Sequence, residues 1–428
     1  MIKRLACILL LTCSACTQLV TDSPSAADRT AFINMSLWSA QLEQPIENAV
    51  LLVEDGRVVD LFSGGDRAIP SGYAVVDLDG SWVIPGIVSA HSHINSAPGF
   101  HRDDHPPASE AVAAQLWLFA HYGVTSVFSM GNEPREAFAW RDDSQTAEHR
   151  RARLYLASPR IDANSPEEAR TLVEEGAADA PDYFKIRVDD ELNTQPSMDE
   201  ETYSSAIEEA NDKGFQVAAH MVKYDDAVGL LNAGVRLLAH SVRDREVGPE
   251  FTQLLIDRNA CLSPTLMREV ASFIYADRPA FLDDPLFAET AGNAIIARIN
   301  SPETRQRFMS PQAAWYRDHL PVAQENMLRI YRAGGTLAMG PDTGPGIRPQ
   351  GYFERLEMEM MEDAGLPAIA VLRASTVNPA RCLDREGDVG TLQAGRWADF
   401  LVLDEDPLQS VRAVRSLTAV YIGGQLLQ

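Results

Sequence analysis

The stretch Trp82-Val83-Ile84-Pro85-Gly86-Ile87-Val88-Ser89-Ala90-His91-Ser92-His93 reads as one apolar strand ending in two histidines. Residues two apart on a strand point to the same side, so His91 and His93 project together from its carboxyl end. Downstream, short apolar runs alternate with amphipathic helical stretches, the pattern of βαβ units around a parallel sheet. Seven further strands are expected at Val124–Gly131, Arg153–Ser158, Tyr183–Val188, Phe215–Val222, Arg236–Val242, Ala260–Leu266 and Thr336–Thr343. Eight strand and helix units in one block predict a closed (β/α)8 TIM barrel over residues 83–384 rather than an open sheet. In the first helix Ser109 is the expected cap, Val112, Leu116 and Phe119 follow at helical spacing, and Gly123 is the stop.

Outside this block the period changes. Residues 31–82 hold short β-runs broken by turns, such as Ala49-Val50-Leu51-Leu52-Val53 followed by Glu54-Asp55-Gly56-Arg57. Residues 385–428 have the same character, with Asp399-Phe400-Leu401-Val402-Leu403 and Ala419-Val420-Tyr421-Ile422 before Gly423-Gly424. The two stretches together predict one small composite β-sandwich, with the ends of the chain side by side. One connection within the barrel is long: residues 267–335 separate the last two strands. This insertion reads either as a lid over the strand ends or as helices packed outside the barrel.

The net charge of −24 excludes nucleic acid as a partner, since phosphate binding needs clustered Lys and Arg. Lys3 and Arg4 precede the apolar run Leu5–Thr12, and Ser14-Ala15 leads into Cys16. Residues 1–16 therefore read as a secretory signal, too short to span a membrane. The junction resembles a bacterial lipoprotein processing site, with Cys13 where such sites usually carry Leu. Either lipid anchoring of Cys16 on the periplasmic face of a membrane or plain secretion is expected, with residues 17–30 as a tether. Of the remaining cysteines, Cys261 and Cys382 stand far apart in sequence and read as buried free thiols.

Of nine histidines, four end expected strands: His91 and His93, then His220 after Ala218-Ala219, and His240 after Leu238-Ala239. The eighth strand ends in Met339-Gly340-Pro341-Asp342. Catalytic groups in such a barrel come from the ends of several strands on one face. Singly, each of these residues has an ordinary reading as a hydrogen-bonded core group. Four imidazoles and a carboxylate converging there form a metal site by type, since Zn²⁺ favours His nitrogen and carboxylate oxygen.

The stretch from Ile84 to His93 resembles the first-strand signature of the amidohydrolase superfamily. Asn378-Pro379-Ala380-Arg381, the run from Gly390 to Asp399, and Asp404-Glu405-Asp406-Pro407-Leu408 resemble its C-terminal signature. The resemblance covers residues 31–428 and is strongest to the imidazolonepropionase- and prolidase-like branch. Asp182-Tyr183-Phe184-Lys185-Ile186 is similar to the segment where that branch carries a lysine carboxylated by CO₂. The resemblance implies two divalent cations, Zn or Mn. His91, His93 and Asp342 would hold one, His220 and His240 the other, with a carbamate on Lys185 bridging them. The other readings pair Lys185 with Asp189 or Asp190, or give a single metal with His240 touching substrate.

A water between two divalent cations has its pKa lowered toward neutrality, and Asp342 beside it would act as general base. This implies hydrolysis of a C–N amide bond in a small molecule: a dipeptide, an N-acyl amino acid or a cyclic amide. The same site would also suit an ester, lactone or phosphoester, or deamination of a ring. A binding protein without catalysis is the third class, disfavoured because none of the six metal positions is missing. Substrate identity is less legible. The branch often ends its second strand with Arg-Asp, where this chain has Phe128-Ser129-Met130. Residues beyond other strand ends are the substrate-binding candidates: Tyr224, Arg187, Arg268 and His101, with Arg102, His105 and Arg243 beside them. Each also reads as a solvated or ion-paired loop residue.

Overall fold

Gly86 divides the expected first strand into two strands that serve different sheets. In the computed structural model, which describes residues 29–94, 108–190, 192 and 194–427, Trp82–Pro85 pairs parallel with Ser36 and Leu37 and antiparallel with Phe400–Leu403. Ile87–Ser92 (β1) instead pairs parallel with Val124–Ser129 (β2). Close approach dictates the glycine between them, since a Cβ on Gly86 would lie 2.0 Å from Thr125 Oγ1.

Both ends of the chain meet in one eight-stranded sheet. Arg29–Leu37, Ile46–Glu54, Arg57–Ser63, Ala74–Asp77 and Trp82–Pro85 join Phe400–Leu403, Leu417–Ile422 and Gln425–Leu426. The Asp55-Gly56 hairpin has φ of 49° and 77°, the left-handed pair whose twist matches its flanking strands. Phe32, Phe400 and Tyr421 pack on one face with ring centroids 4.6–5.0 Å apart.

The parallel strands fall into two sheets. β1, β2 and Arg153–Leu156 (β3) form one. Phe184–Arg187 (β4), Val217–His220 (β5), Leu237–Ala239 (β6), Cys261–Ser263 (β7) and Thr336–Leu337 (β8) form the other, in chain order. Isolated parallel bridges join them, Ala157 to Tyr183 and Ile161 to Ile186 on one side, Ser92 to Thr343 on the other. Every residue of β1 to β4 is buried, as parallel strands covered on both faces require.

Several strands stop earlier than their apolar runs suggest, and the reason is local. Past β6, β7 and β8 the backbone turns left-handed at His240 (φ 119°), Thr265 (φ 50°) and Asp342 (φ 59°). Non-glycine residues pay roughly 1–3 kcal/mol for such geometry, and it gathers at functional sites. Ser109 stands inside the helix Ala108–His121 rather than capping it, and its Oγ accepts a hydrogen bond from Trp140 Nε1.

The 267–335 segment folds mainly as the helices Leu266–Ala271, Pro285–Ile299, Pro302–Arg307 and Pro311–Arg332. Tyr275, Phe281 and Phe287 pack with Tyr122, Tyr352 and Phe353 in a core of their own. The long helix Pro311–Arg332 also packs Ala323, Met327 and Ile330 into the main core. Near its start, Tyr316 lies against the Arg268 guanidinium, 4.7 Å from the ring centroid. No helix among the described residues is long and apolar enough to cross a membrane.

The expectation of free thiols is corrected here, because Cys261 and Cys382 form a disulfide. Cys261 opens β7 and Cys382 ends the helix Val377–Cys382, so only folding brings their Cα atoms to 6.0 Å. A cross-link spanning 121 residues restricts the unfolded chain strongly. The double variant Cys261→Ser, Cys382→Ser is expected to lose about 4–5 kcal/mol of unfolding free energy. Urea denaturation of the two proteins checks this, and equal midpoints would contradict it.

Candidate metal centre

The carboxyl ends of β1 and β8 meet through the backbone before any side chain is considered. Asp342 N donates to His91 O, Ala90 N to Met339 O and His93 N to Thr343 O, at 2.7–2.9 Å. Gly340 permits this contact, since a Cβ there would lie 2.3 Å from His91 N. Asp342 Oδ1 consequently sits 3.1 Å from His93 Nε2 and 3.6 Å from His91 Nε2. Donor atoms of these three side chains all lie within 4.8 Å of one another.

His220, at the end of β5, and His240, just past β6, form a second pair. His240 Nε2 is 2.7 Å from His220 Nδ1, and His240 Nδ1 is 2.7 Å from Thr265 Oγ1. His220 Nε2 lies 2.9 Å from Asp189 Oδ1. The rings of His91 and His240 are 4.8 Å apart, which joins the two groups. A cavity of about 360 Å³ is lined by His91, His93, Lys185, His220 and Asp342, together with Met130, Gly131, Asn132, Arg160, Arg268, Pro345 and Arg348. His240 stands behind His220, fully buried and outside this lining.

Lys185 projects from β4 with its side chain buried, and its Nζ has no hydrogen-bond partner among the described residues. Neither carboxylate weighed as its partner takes that role: Asp189 lies against His220, and Asp190 pairs with Lys223 at 2.6 Å. An uncompensated buried ammonium is costly, and burial brings the Lys185 amine down to about 7. Burial also holds His91 and His240 well below the ordinary imidazole value and lowers His220. Burial pushes the Asp342 carboxyl up, but Arg348 and the two neighbouring imidazoles outweigh it and keep the group ionised.

Imidazoles, one carboxylate and a lysine able to shed its proton make a donor set that fits divalent cations. Lys185 Nζ and His91 Nδ1, buried and without partners among the described residues, fit the same donor set. His91, His93 and Asp342 would hold one ion directly.

The substrate-binding candidates separate. Arg268 lines the cavity. Arg187 is committed elsewhere, pairing with Asp162 at 2.6 Å and donating to Asp189 O. Tyr224 opens the helix Tyr224–Ala233, with its hydroxyl 3.4 Å from Glu250 and the Arg245 guanidinium over its ring. Arg243 is buried against Glu269 at 3.0 Å. His101, Arg102 and His105 lie outside the described residues, as do Cys16 and residues 1–28.

Sequence reasoning missed Arg348, whose Nη1 donates to Asp342 Oδ2, and the buried Glu354. Glu354 Oε1 accepts from the hydroxyls of Ser89, Ser92 and Thr343, and Oε2 from Gly351 N. This one carboxyl ties together the two strand ends that carry His91, His93 and Asp342. Glu354→Leu is expected to cost roughly 3 kcal/mol, because it strands buried hydroxyls. Urea denaturation of the metal-free protein measures it; a loss below about 1 kcal/mol would contradict the role.

Comparison with known proteins agrees with this arrangement. The model of the amidohydrolase family matches residues 82–427. Ochratoxinase of Aspergillus niger is 23% identical over 446 residues, covering 90% of this chain and 84% of its own. An uncharacterized protein of Mycobacterium tuberculosis is 24% identical over 395 residues, 89% of this chain and 93% of its own. Among solved structures, a Xaa-Pro dipeptidase with methionine in its active site superposes with a TM-score of 0.74 at 17% identity, covering 93% of this chain and 99% of the other.

Proposed function

Because the chain belongs to the amidohydrolase family, we propose that it is a metal-dependent hydrolase cleaving the C–N amide bond of a small dipeptide, N-acyl amino acid or cyclic amide. One observation carries this reading: His91, His93, Asp342, His220 and the unpartnered Lys185 face a single cavity. Two divalent cations, when bound, would supply Lewis acidity that acidifies water and polarises a carbonyl. His91, His93 and Asp342 would hold the first, His220 and His240 the second, and Lys185, carboxylated by CO₂, would bridge them. For His240 this requires its Nε2 to exchange His220 Nδ1 for the ion. Asp342 takes the proton of the attacking water and delivers it to the departing nitrogen. Its fixed position against His93 and Arg348 supports that role.

The finer architecture belongs to the same reading. The two parallel sheets and their linking bridges act as one closed (β/α)8 barrel over residues 83–384, and the terminal sheet folds over as the small sandwich. Export, with Cys16 as a lipid anchor or after plain secretion, has one supporting observation in the Cys261–Cys382 disulfide, a bond that persists in oxidising compartments.

The test is a purified chain beginning near residue 28, loaded with Zn²⁺ or Mn²⁺ in bicarbonate and presented with N-acyl amino acids, dipeptides and cyclic amides. Release of free amine or ring opening is expected. Turnover confined to esters, lactones or phosphoesters, or ammonia from a ring, would overturn the amide assignment.

A further inference from the structure

Two guanidinium groups, of Arg268 and Arg348, stand at the edge of the metal centre, and among the described residues they meet few carboxylates. Arg348 donates to Asp342 Oδ2, and Arg268 Nε lies 4.0 Å from the same oxygen. Among the described residues the other carboxylate in contact with Arg268 is Glu269, at 3.4 Å, and Glu269 already pairs with buried Arg243. Three arginines thus share two carboxylates, and one of these, Asp342, is a ligand in the reading above. Once Asp342 is committed to a cation, the positive ends of Arg268 and Arg348 face the cavity with little to balance them. Both side chains are largely buried, so water does not replace the missing anion cheaply.

The same two arginines also line a second cavity of about 220 Å³. Its remaining lining comes from the 267–335 segment and the loop after Asp342, with Phe308 and Ile347 as its large apolar groups and Arg307 as a third cationic side chain. Tyr316 stacks on Arg268 and fixes its direction. The pair therefore stands where the metal centre gives way to a half-apolar pocket.

We propose that Arg268 and Arg348 clamp a carboxylate of the substrate, and that the pocket of Phe308 and Ile347 receives the apolar side chain attached to it. The substrate class is then an amide whose leaving amine is an α-amino acid with a free carboxylate and an apolar side chain. This rests on the amide-hydrolase reading for the bond being cut, but the clamp itself is a binding property. Planar guanidinium forks suit carboxylates bidentately, which a lysine pair would not.

The test uses metal-loaded protein and two probes without an amide bond, 3-phenylpropionate and 3-phenylpropan-1-ol, titrated calorimetrically. The carboxylate is expected to bind the wild type, and Arg348→Met to weaken it roughly 10–100-fold, the span of a lost charged hydrogen bond. The alcohol should change less than about threefold, since it makes no ionic contact. Metal analysis accompanies each variant, and if Arg348→Met has lost metal then Arg268→Met carries the same comparison. Unchanged carboxylate affinity in a metal-replete variant would overturn the clamp and leave direct binding to the ions. In kinetics, N-acetyl-L-phenylalanine should lose through KM in Arg268→Met while kcat is largely kept, and N-acetyl-L-phenylalaninamide should be a poor substrate throughout. Equal hydrolysis of the two by the wild type would overturn the clamp but leave amide hydrolysis standing. Carboxylate binding with no amide turnover would do the reverse.

Discussion

Asp342→Asn is expected to lower kcat by about 10³-fold or more while the protein keeps most of its metal. An amide oxygen still offers a lone pair to a cation, and His91 and His93 remain in place on β1. What disappears is a group able to take a proton and give it back, because an amide has no useful basicity. Asp342 is buried and held from two sides, by His93 at 3.1 Å and by the Arg348 guanidinium, so the substitution leaves the geometry little freedom to drift. Metal content measured alongside kcat separates the roles. Near-wild-type turnover with metal bound would remove Asp342 from proton transfer.

Lys185→Met is expected to reduce bound metal from about two ions per chain to about one or fewer, with turnover falling by at least about 10²-fold. The side chain is buried and unpartnered, and methionine fills similar space without an amine, so folding should suffer little. The loss should therefore appear in metal stoichiometry and in bicarbonate dependence rather than in the urea midpoint. Short carboxylates such as acetate or propionate should restore part of the activity, since they supply the bridging oxygens. Full metal content and undiminished activity in the variant would make Lys185 a buried structural residue.

Much of the centre was legible because strand geometry is simple. Alternation places His91 and His93 together, and the ends of parallel strands bring distant segments to one face, so His220 and Asp342 fall beside them. The same reasoning misled at Arg187. Two positions after Lys185 on β4, it shares a face with the lysine, but Asp162 from another loop captures its guanidinium. Arg348 was missed for the opposite reason: it lies in the irregular stretch after Asp342, where no period says which way a side chain turns. The disulfide was invisible because a sequence separation of 121 carries no local sign of a 6.0 Å approach. Gly86 was read as part of one strand, since Pro85-Gly86 interrupts an apolar run without changing its composition. Only the clash with Thr125 reveals the hand-over between sheets. Glu354 sits in a helix among other acidic residues, and its burial depends on hydroxyls from two distant strands.

Anomalous diffraction at the zinc edge, from crystals grown with Zn²⁺ and bicarbonate, addresses the ligand set itself. Two peaks roughly 3.5–4 Å apart are expected, one against His91, His93 and Asp342, the other against His220 and His240, with density extending from Lys185 Nζ between them. An empty cavity, or zinc bound only away from these side chains, would contradict a hydrolytic metal centre in this chain.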